Sequence, residues 1–398
     1  MTRIFVGLAA SLFVLTSCSA GRGLRPGPGF QKSLQEAMIT AKPGSVIEIP
    51  EGRHEIDAVL TLSADKVTLR GMGMEKSILS FKKQTSGSAG LMVTGNGFVI
   101  EDLAVEDTKG DGLKVKGSTG VTIRRFRAEW TGGSVSTNGA YGIYPVESNN
   151  VLIEDSVVIG AADAGIYVGQ SKNIIVRRNT AKRNVAGIEI ENSVGADVYD
   201  NTATENTGGI LVFNLPDLPM KGGRQTRVYK NRIEGNNTSN FAPKGAMVAK
   251  VPSGTGLMVL ATAQAEIFNN SIKDNQTANI SILSYLTTGN KIQDAEYDPF
   301  VEAIYIHNNQ ISGGGNLPGG RAMAIAEAAG APLPHIQYDG IVNPKRAAIG
   351  DLRICIENND GVTFLNYDAG GGFKKLSRDL KPHTCALPAL APIVLPGA

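Results

Sequence analysis

A glycine followed by alternating apolar residues returns at a constant interval along this chain, and that repeat restricts the fold more than any other feature. Gly165 (GIYVGQSKNIIVRRNTAKRNVA), Gly187 (GIEIENSVGADVYDNTATENTG) and Gly209 (GILVFNLP) begin units that align without gaps, 22 residues apart. Gly90 and Gly112 show the same spacing, and units also begin at Gly142 and Gly256. A degenerate unit runs from Asn279, with its second strand at Ala303 (AIYIHNNQI), and a last echo starts at Leu352 (LRICIENND). Within a unit, Ile188 and Ile190 share one parity while Glu189 and Glu191 share the other. Period two denotes a strand. The unit holds two such segments and is too short for a long crossover helix. One unit cannot bury its own apolar residues, so the units must stack into a solenoid.

Asparagine columns agree with stacking. Asn179, Asn201, Asn231, Asn270, Asn309 and Asn359 each follow the second strand, and Asn184, Asn206, Asn236 and Asn275 sit five residues beyond the first four of them. Asparagine tolerates left-handed turns, and stacked amides can satisfy each other between coils. An unpaired buried amide would cost roughly 1–3 kcal/mol, so these residues are read as structural. The 48 glycines fit a repeat with a glycine per unit, and 42% hydrophobic residues argue against disorder. A net charge of +2 without a basic patch interleaved with aromatics argues against nucleic acid as a partner.

The coil pattern resembles the right-handed parallel β-helix proteins of the pectate-lyase-like superfamily. NGAYGIYPVES, DAGIYVGQS, AGIEIENS and TGGILVFNLPDLP resemble more narrowly a bacterial family of β-helix repeat lipoproteins with no established activity. The resemblance spans about residues 30–365. It implies an all-β, right-handed parallel β-helix, and a polysaccharide groove on the loop-walled face.

Arg3, the short apolar run Ile4–Leu15 and the segment Leu15-Thr16-Ser17-Cys18 resemble a bacterial lipobox. That implies a signal peptide over residues 1–17, lipid attachment at Cys18 and membrane association through that anchor. A serine rather than an aspartate at position 19 implies the outer membrane. The other reading is a plain secretory signal. In either case the protein is exported, where Cys355 and Cys385 can form a disulfide or remain two thiols. Residues 18–29 read as a tether, 30–380 as one β-helix domain and 381–398 as an irregular Pro-rich tail. Leu34, Ala37, Met38 and Ala41 follow helical spacing before Pro43-Gly44, predicting a short helix that caps the open end of the stack.

Residues alternating with the core on the first strand predict an outward ladder: Met92/Thr94, Lys114/Lys116, Tyr144/Val146, Tyr167/Gly169, Glu189/Glu191, Leu211/Phe213, Met258/Leu260 and Ser281/Leu283. Extra residues fall at 131–140, 215–225, 237–255, 287–298 and 312–334, all at turns flanking that strand. Insertions gathered on one face of a solenoid mark a binding face. Tyr144 and Tyr167 are candidate sugar-stacking rings. Gly169 is expected to leave a gap before Glu191. Asp163, in the turn entering the Tyr167 strand, is placed with the site. Lys114 and Lys116 lie about 14 Å from Glu189, beyond the ~8 Å screening length, so they are candidate contacts to an acidic polymer rather than ion-pair partners. Glu189 and Glu191, roughly 6.6 Å apart along the strand, are candidate catalytic carboxylates. Against this stands the plain reading of these charges as solubilising. Leu211, Phe213, Met258 and Leu260 are either a docking strip or covered by loops. The basic set Arg124, Arg125, Arg127, Arg177, Arg178, Lys182 and Arg183 reads as a solvated face.

Departures from the enzymes narrow the chemistry. The acidic-cluster-plus-Arg arrangement of calcium-dependent pectate lyases is absent. So is the Asp-Pro-His-Asp motif of alginate epimerases, since Asp298-Pro299 is followed by Phe300 and Val301. His54, His307, His335 and His383 lack metal-ligand spacing. No metal or cofactor is therefore expected. Two functions stay open: an envelope lipoprotein that binds a polysaccharide, with lyase, epimerase or hydrolase chemistry as its catalytic form, and a non-catalytic scaffold that binds a protein partner.

Overall fold

From the Gly142 unit to the Asn279 unit, each lays down three strands rather than two in the computed structural model, which describes residues 23–346 and 352–396; in the Gly90 and Gly112 units the second and third run on as single strands, Val99–Glu106 and Thr119–Glu129. The unit at Gly187 contains Ala186–Glu191, Val194–Tyr199 and Thr202–Thr204. Three residues are too few to display a period, so the third strand was not legible. Every ladder is parallel: Ile188 pairs with Ile166 and Ile210, and Val198 pairs with Val176 and Val228. First strands form an 11-stranded sheet, and second and third strands form a 19-stranded one. The chain is a right-handed parallel β-helix, the hand that parallel crossovers adopt. Apolar residues from all three strands, such as Ile188, Ile190, Ala196, Val198 and Ala203, join one continuous interior from Phe30 to Phe364. Cys18 and its flanking residues lie outside the described residues.

The repeated glycine has a steric cause. A Cβ at Gly187 would lie 2.5 Å from the carbonyl oxygen of Gly209 on the next coil, and one at Gly209 would lie 2.5 Å from that of Gly256. The backbone passes so close to its neighbour there that no side chain fits. The asparagine columns are two buried amide ladders. Asn201 Nδ2 donates to Asn231 Oδ1 at 3.0 Å and to the Val176 carbonyl at 2.9 Å. Asn201 Oδ1 accepts from the backbone N–H and Nδ2 of Asn179. The first ladder continues unbroken from Asn179 to Asn359. The second runs from Asn184 to Asn275 and gains a further member, Asn279.

The capping helix spans Phe30–Thr40 and presses Phe30, Leu34 and Met38 onto the first coil. Phe30 stacks on His54 with ring centroids 3.9 Å apart. At the other end Cys355 and Cys385 form a disulfide closing a 30-residue separation. From Cys385 the tail turns back along the second-strand sheet as an extended strap. The Leu390 N–H donates to Glu266 Oε2 (2.9 Å), the Ile393 N–H donates to Asp197 Oδ2 (3.2 Å), and Leu395 packs on Leu152 and Ile175. The segment is irregular in secondary structure, as its prolines imply, yet it is docked along its length.

Candidate functional site

The outward column on the first strands has the register that the repeat arithmetic requires. Lys114 lies beside Tyr144, Tyr167 beside Glu189, and Glu189 beside Leu211. Lys116 adjoins Val146, Val146 adjoins Gly169, and Gly169 adjoins Glu191. Tyr144 and Tyr167 meet edge to face, with centroids 5.0 Å apart.

Outward, however, is not exposed. Glu189 retains 2% of its accessibility, and Tyr167, Glu191, Leu211, Phe213, Met258 and Leu260 are buried as well. The inserted segments fold down and contribute Leu215, Phe241, Val248, Val251, Tyr285 and Tyr297 to a second apolar cluster on this face. Asn192 anchors one of them: its Nδ2 donates to the carbonyls of Leu215 and Met220, and its Oδ1 accepts the Leu215 N–H. The apolar rungs are covered rather than offered to a partner. The expected gap at Gly169 is also filled. The Tyr167 phenol folds over that glycine to donate to Glu191 Oε1 at 2.6 Å, and a Cβ at position 169 would stand 2.2 Å from the phenol oxygen.

Burial decides the electrostatics. Glu189 is pushed well above the usual carboxylate range, first by burial and then by the charges of Glu191 and Asp163. Its Oε2 has no hydrogen-bond partner. Burial also raises Glu191, against the hydrogen bonds from Tyr167 and Glu189 that lower it. Asp163 is pushed up to about 7 by burial and by Glu191, and Asp111 to about 6 by burial, partly offset by Lys114. These carboxyls sit around Tyr141, Tyr144 and Tyr167, three rings in mutual contact. Such a cluster can hold and exchange protons near neutrality, the property expected of acid–base sites. Among the described residues, no group of three or more His, Cys, Asp or Glu converges to hold a metal ion.

Lys114 stays at the edge of this cluster, its Nζ 3.7 Å from Asp111 Oδ2 and 4.9 Å from the Tyr144 ring centroid. Lys116 lies 3.8 Å from Glu147. Beyond them, at the turn leaving the first strand, an open polar groove of about 600 Å³ runs past Glu147, Gln170, Lys172 and Arg224, walled by Pro219 and Met220. Gln170 is mostly buried and its Oε1 has no hydrogen-bond partner. Neither Lys172 nor Arg224 pairs with a carboxylate among the described residues.

Tyr141, Asp111 and Gln170 were not singled out from the sequence. The signal for the first two was present. The position before the unit glycine reads Ala89, Ala164, Ala186, Gly208, Thr255 and Ala278, small residues broken only by Asp111 and Tyr141. Gln170 occupies a left-handed turn (φ 52) that gives no chemical hint in sequence. The arginines on the second and third strands are not merely a solvated face. Arg124 and Arg125 pair with Glu101, Arg127 with Glu106, and Arg177 and Arg178 with Glu154, each partner one coil away.

Comparisons with known proteins return the fold. Residues 74–217 match the family model described as a right handed beta helix region. The Azotobacter vinelandii mannuronan C-5 epimerase AlgE4 A-module superposes with a TM-score of 0.51 at 17% identity, covering 78% of this chain and 87% of that one. An exopolygalacturonase from Thermotoga maritima gives a TM-score of 0.49 at 13% identity, covering 71% of this chain and 76% of that one. DFA-IIIase from Arthrobacter chlorophenolicus A6, without its lid, gives 0.46 at 11% identity, covering 81% and 93%. Among curated proteins, none matches this sequence.

Proposed function

Taking a parallel β-helix repeat protein as the premise, we propose that the chain is an exported envelope lipoprotein, anchored at Cys18, that binds an acidic polysaccharide. The binding path is the groove past Gln170, Lys172 and Arg224, continuing to Lys116, Lys114 and the Tyr144 rim. One observation carries this reading: two cations that no carboxylate neutralises among the described residues, Lys172 and Arg224, line one open polar groove. These cations suit uronate carboxylates. β-Helices carry many activities, so the reading rests on these residues and not on the fold.

Its catalytic form assigns Glu189 and Glu191 as acid and base for cleavage or epimerisation. That form requires the cover over Glu189 to open, because the carboxyl is closed off from the groove. The rival reading, a scaffold that docks a protein through the apolar rungs, loses its surface to the same cover.

A glycan array probed with the full chain tests the binding claim. Uronate-containing glycans should be retained, and Lys172→Glu with Arg224→Glu should reduce retention at least tenfold. Retention of none, or equal retention by the double variant, would sink it. Glu189→Gln with Glu191→Gln should abolish any cleavage or epimerisation of uronate polymers, and unchanged turnover removes the catalytic form. Radiolabelled palmitate should enter the wild type and not Cys18→Ala.

A further inference from the structure

A second cavity lies farther along the first-strand face, at the carboxy-terminal end of the cover. It is a partly open pocket of about 120 Å³, walled by Phe213, Met258, Leu260 and Leu283 from the strands and by Val251 and Ile325 from the covering segments. Ile325 belongs to the helix Ala322–Ala329, and Val251 follows the turn Met247–Lys250. The interior is apolar, but the rim is cationic. Lys250 Nζ is held by the Thr288 carbonyl at 3.4 Å and by Asn290 Oδ1, and Arg321 Nη1 by the Thr287 carbonyl at 2.5 Å. Neither cation meets a carboxylate among the described residues.

We propose that this cavity binds a single-chain anionic amphiphile, with its tail among Phe213, Met258, Leu260 and Leu283 and its head group between Lys250 and Arg321. An apolar pocket with a few polar groups at its mouth has the form of a small-molecule site, and at about 120 Å³ it takes the part of a tail next to the head group. Burying a tail there supplies roughly 0.8 kcal/mol per methylene. Two cations at the mouth, each hydrogen-bonded to a backbone carbonyl, add charge complementarity. The head group is a carboxylate or a phosphate monoester, which these two cations would hold alike.

The full chain in phosphatidylcholine nanodiscs would be irradiated with a diazirine-bearing dodecanoate and, in parallel, with the corresponding alcohol. Adducts of the acid should map to Met258, Leu260, Leu283 or Ile325, and the alcohol should label these residues at least tenfold less. Lys250→Gln with Arg321→Gln, both at the rim, should cut labelling by the acid at least tenfold with an unchanged circular dichroism spectrum. Ile325→Trp, which fills the chamber, should block it. Competition with unlabelled dodecanoate and dodecyl phosphate then identifies the preferred head. Adducts outside the chamber, equal labelling by the alcohol, or a rim variant that labels like the wild type would each overturn the proposal.

Discussion

On the first-strand face the column Glu189–Leu211–Met258 lies under segments inserted between the strands of nearby coils. On the second-strand face the column Leu152–Ile175–Asp197–Arg227–Glu266 lies under the last residues of the chain. Both columns are outward by alternation, and both are buried. The covers differ in what they supply. The insertions bring side chains such as Val248, Val251 and Tyr297, so Glu189 is enclosed without a cation. The tail brings backbone donors, which reach Glu266 and Asp197, while Arg227 lies between those two carboxylates at 2.9 Å from Asp197 and 3.7 Å from Glu266. A neighbouring column on the second face stacks Tyr199, Tyr229, Phe268 and His307 with centroids 4.8–5.2 Å apart. Those rings cover one another's faces and leave edges outward, so they brace the coils and offer no flat platform to a sugar. Charge left uncompensated under a cover marks the face where chemistry is to be sought; charge compensated under a cover marks a structural face.

The comparison breaks if the two faces respond alike to truncation of a large side chain. Phe213→Ala removes a buried ring, and should cost about 4 kcal/mol in denaturant unfolding. Tyr229→Ala removes a half-exposed ring with two stacking neighbours, and should cost about 1 kcal/mol. Equal losses would mean that the second-face stack carries as much packing as the covered face.

Ending the chain after Cys385 should cost about 2 kcal/mol. The lost burial of Leu395, Leu152 and Ile175 is partly offset by freeing the tail, whose ordering costs roughly 1–2 kcal/mol per residue. The disulfide remains, so the variant isolates the strap from the cross-link. It should bind a hydrophobic dye at the uncovered second face while its uronate binding stays unchanged. A truncated chain as stable as the full one would show that the tail is not a cover.

Most of the scaffold was legible because its cause repeats. The glycine spacing, the strand register and both asparagine ladders each follow from one steric or hydrogen-bonding requirement met on coil after coil, and the capping helix, which occurs once, shows in the helical spacing of Leu34, Ala37, Met38 and Ala41. The third strand escaped because Thr202–Thr204 is too short to show alternation. The site was legible only as a set of neighbours. Tyr144, Tyr167, Glu189 and Glu191 do come together, but parity states which way a residue points and not what lies above it. The cover is built from segments such as residues 237–255 and 287–298 that occur once each, and a feature without repetition offers no column to read. The tail is the extreme case: Leu390 and Glu266 are 124 residues apart.

The finest distinction between the faces is their response to pH. Glu189 is raised by burial, so the folded chain keeps a proton that the unfolded chain releases above its ordinary value near 4.3. Between that value and the folded one, rising pH lowers stability, and each unit of displacement costs about 1.4 kcal/mol. Asp163, raised to about 7, adds a loss over the same direction that is complete once pH passes that value. Glu189→Gln keeps the shape and removes the titration. It should match the wild type near pH 4, where both forms are neutral, and exceed it at pH 8. Glu266→Gln should do the reverse at pH 8, because Arg227 and the Leu390 N–H lose a charged acceptor. Urea unfolding of the three proteins at pH 4, 6 and 8 separates the cases. A Glu189→Gln chain that is weaker than the wild type at pH 8 would mean that Glu189 is compensated after all, and the first face would then be as structural as the second.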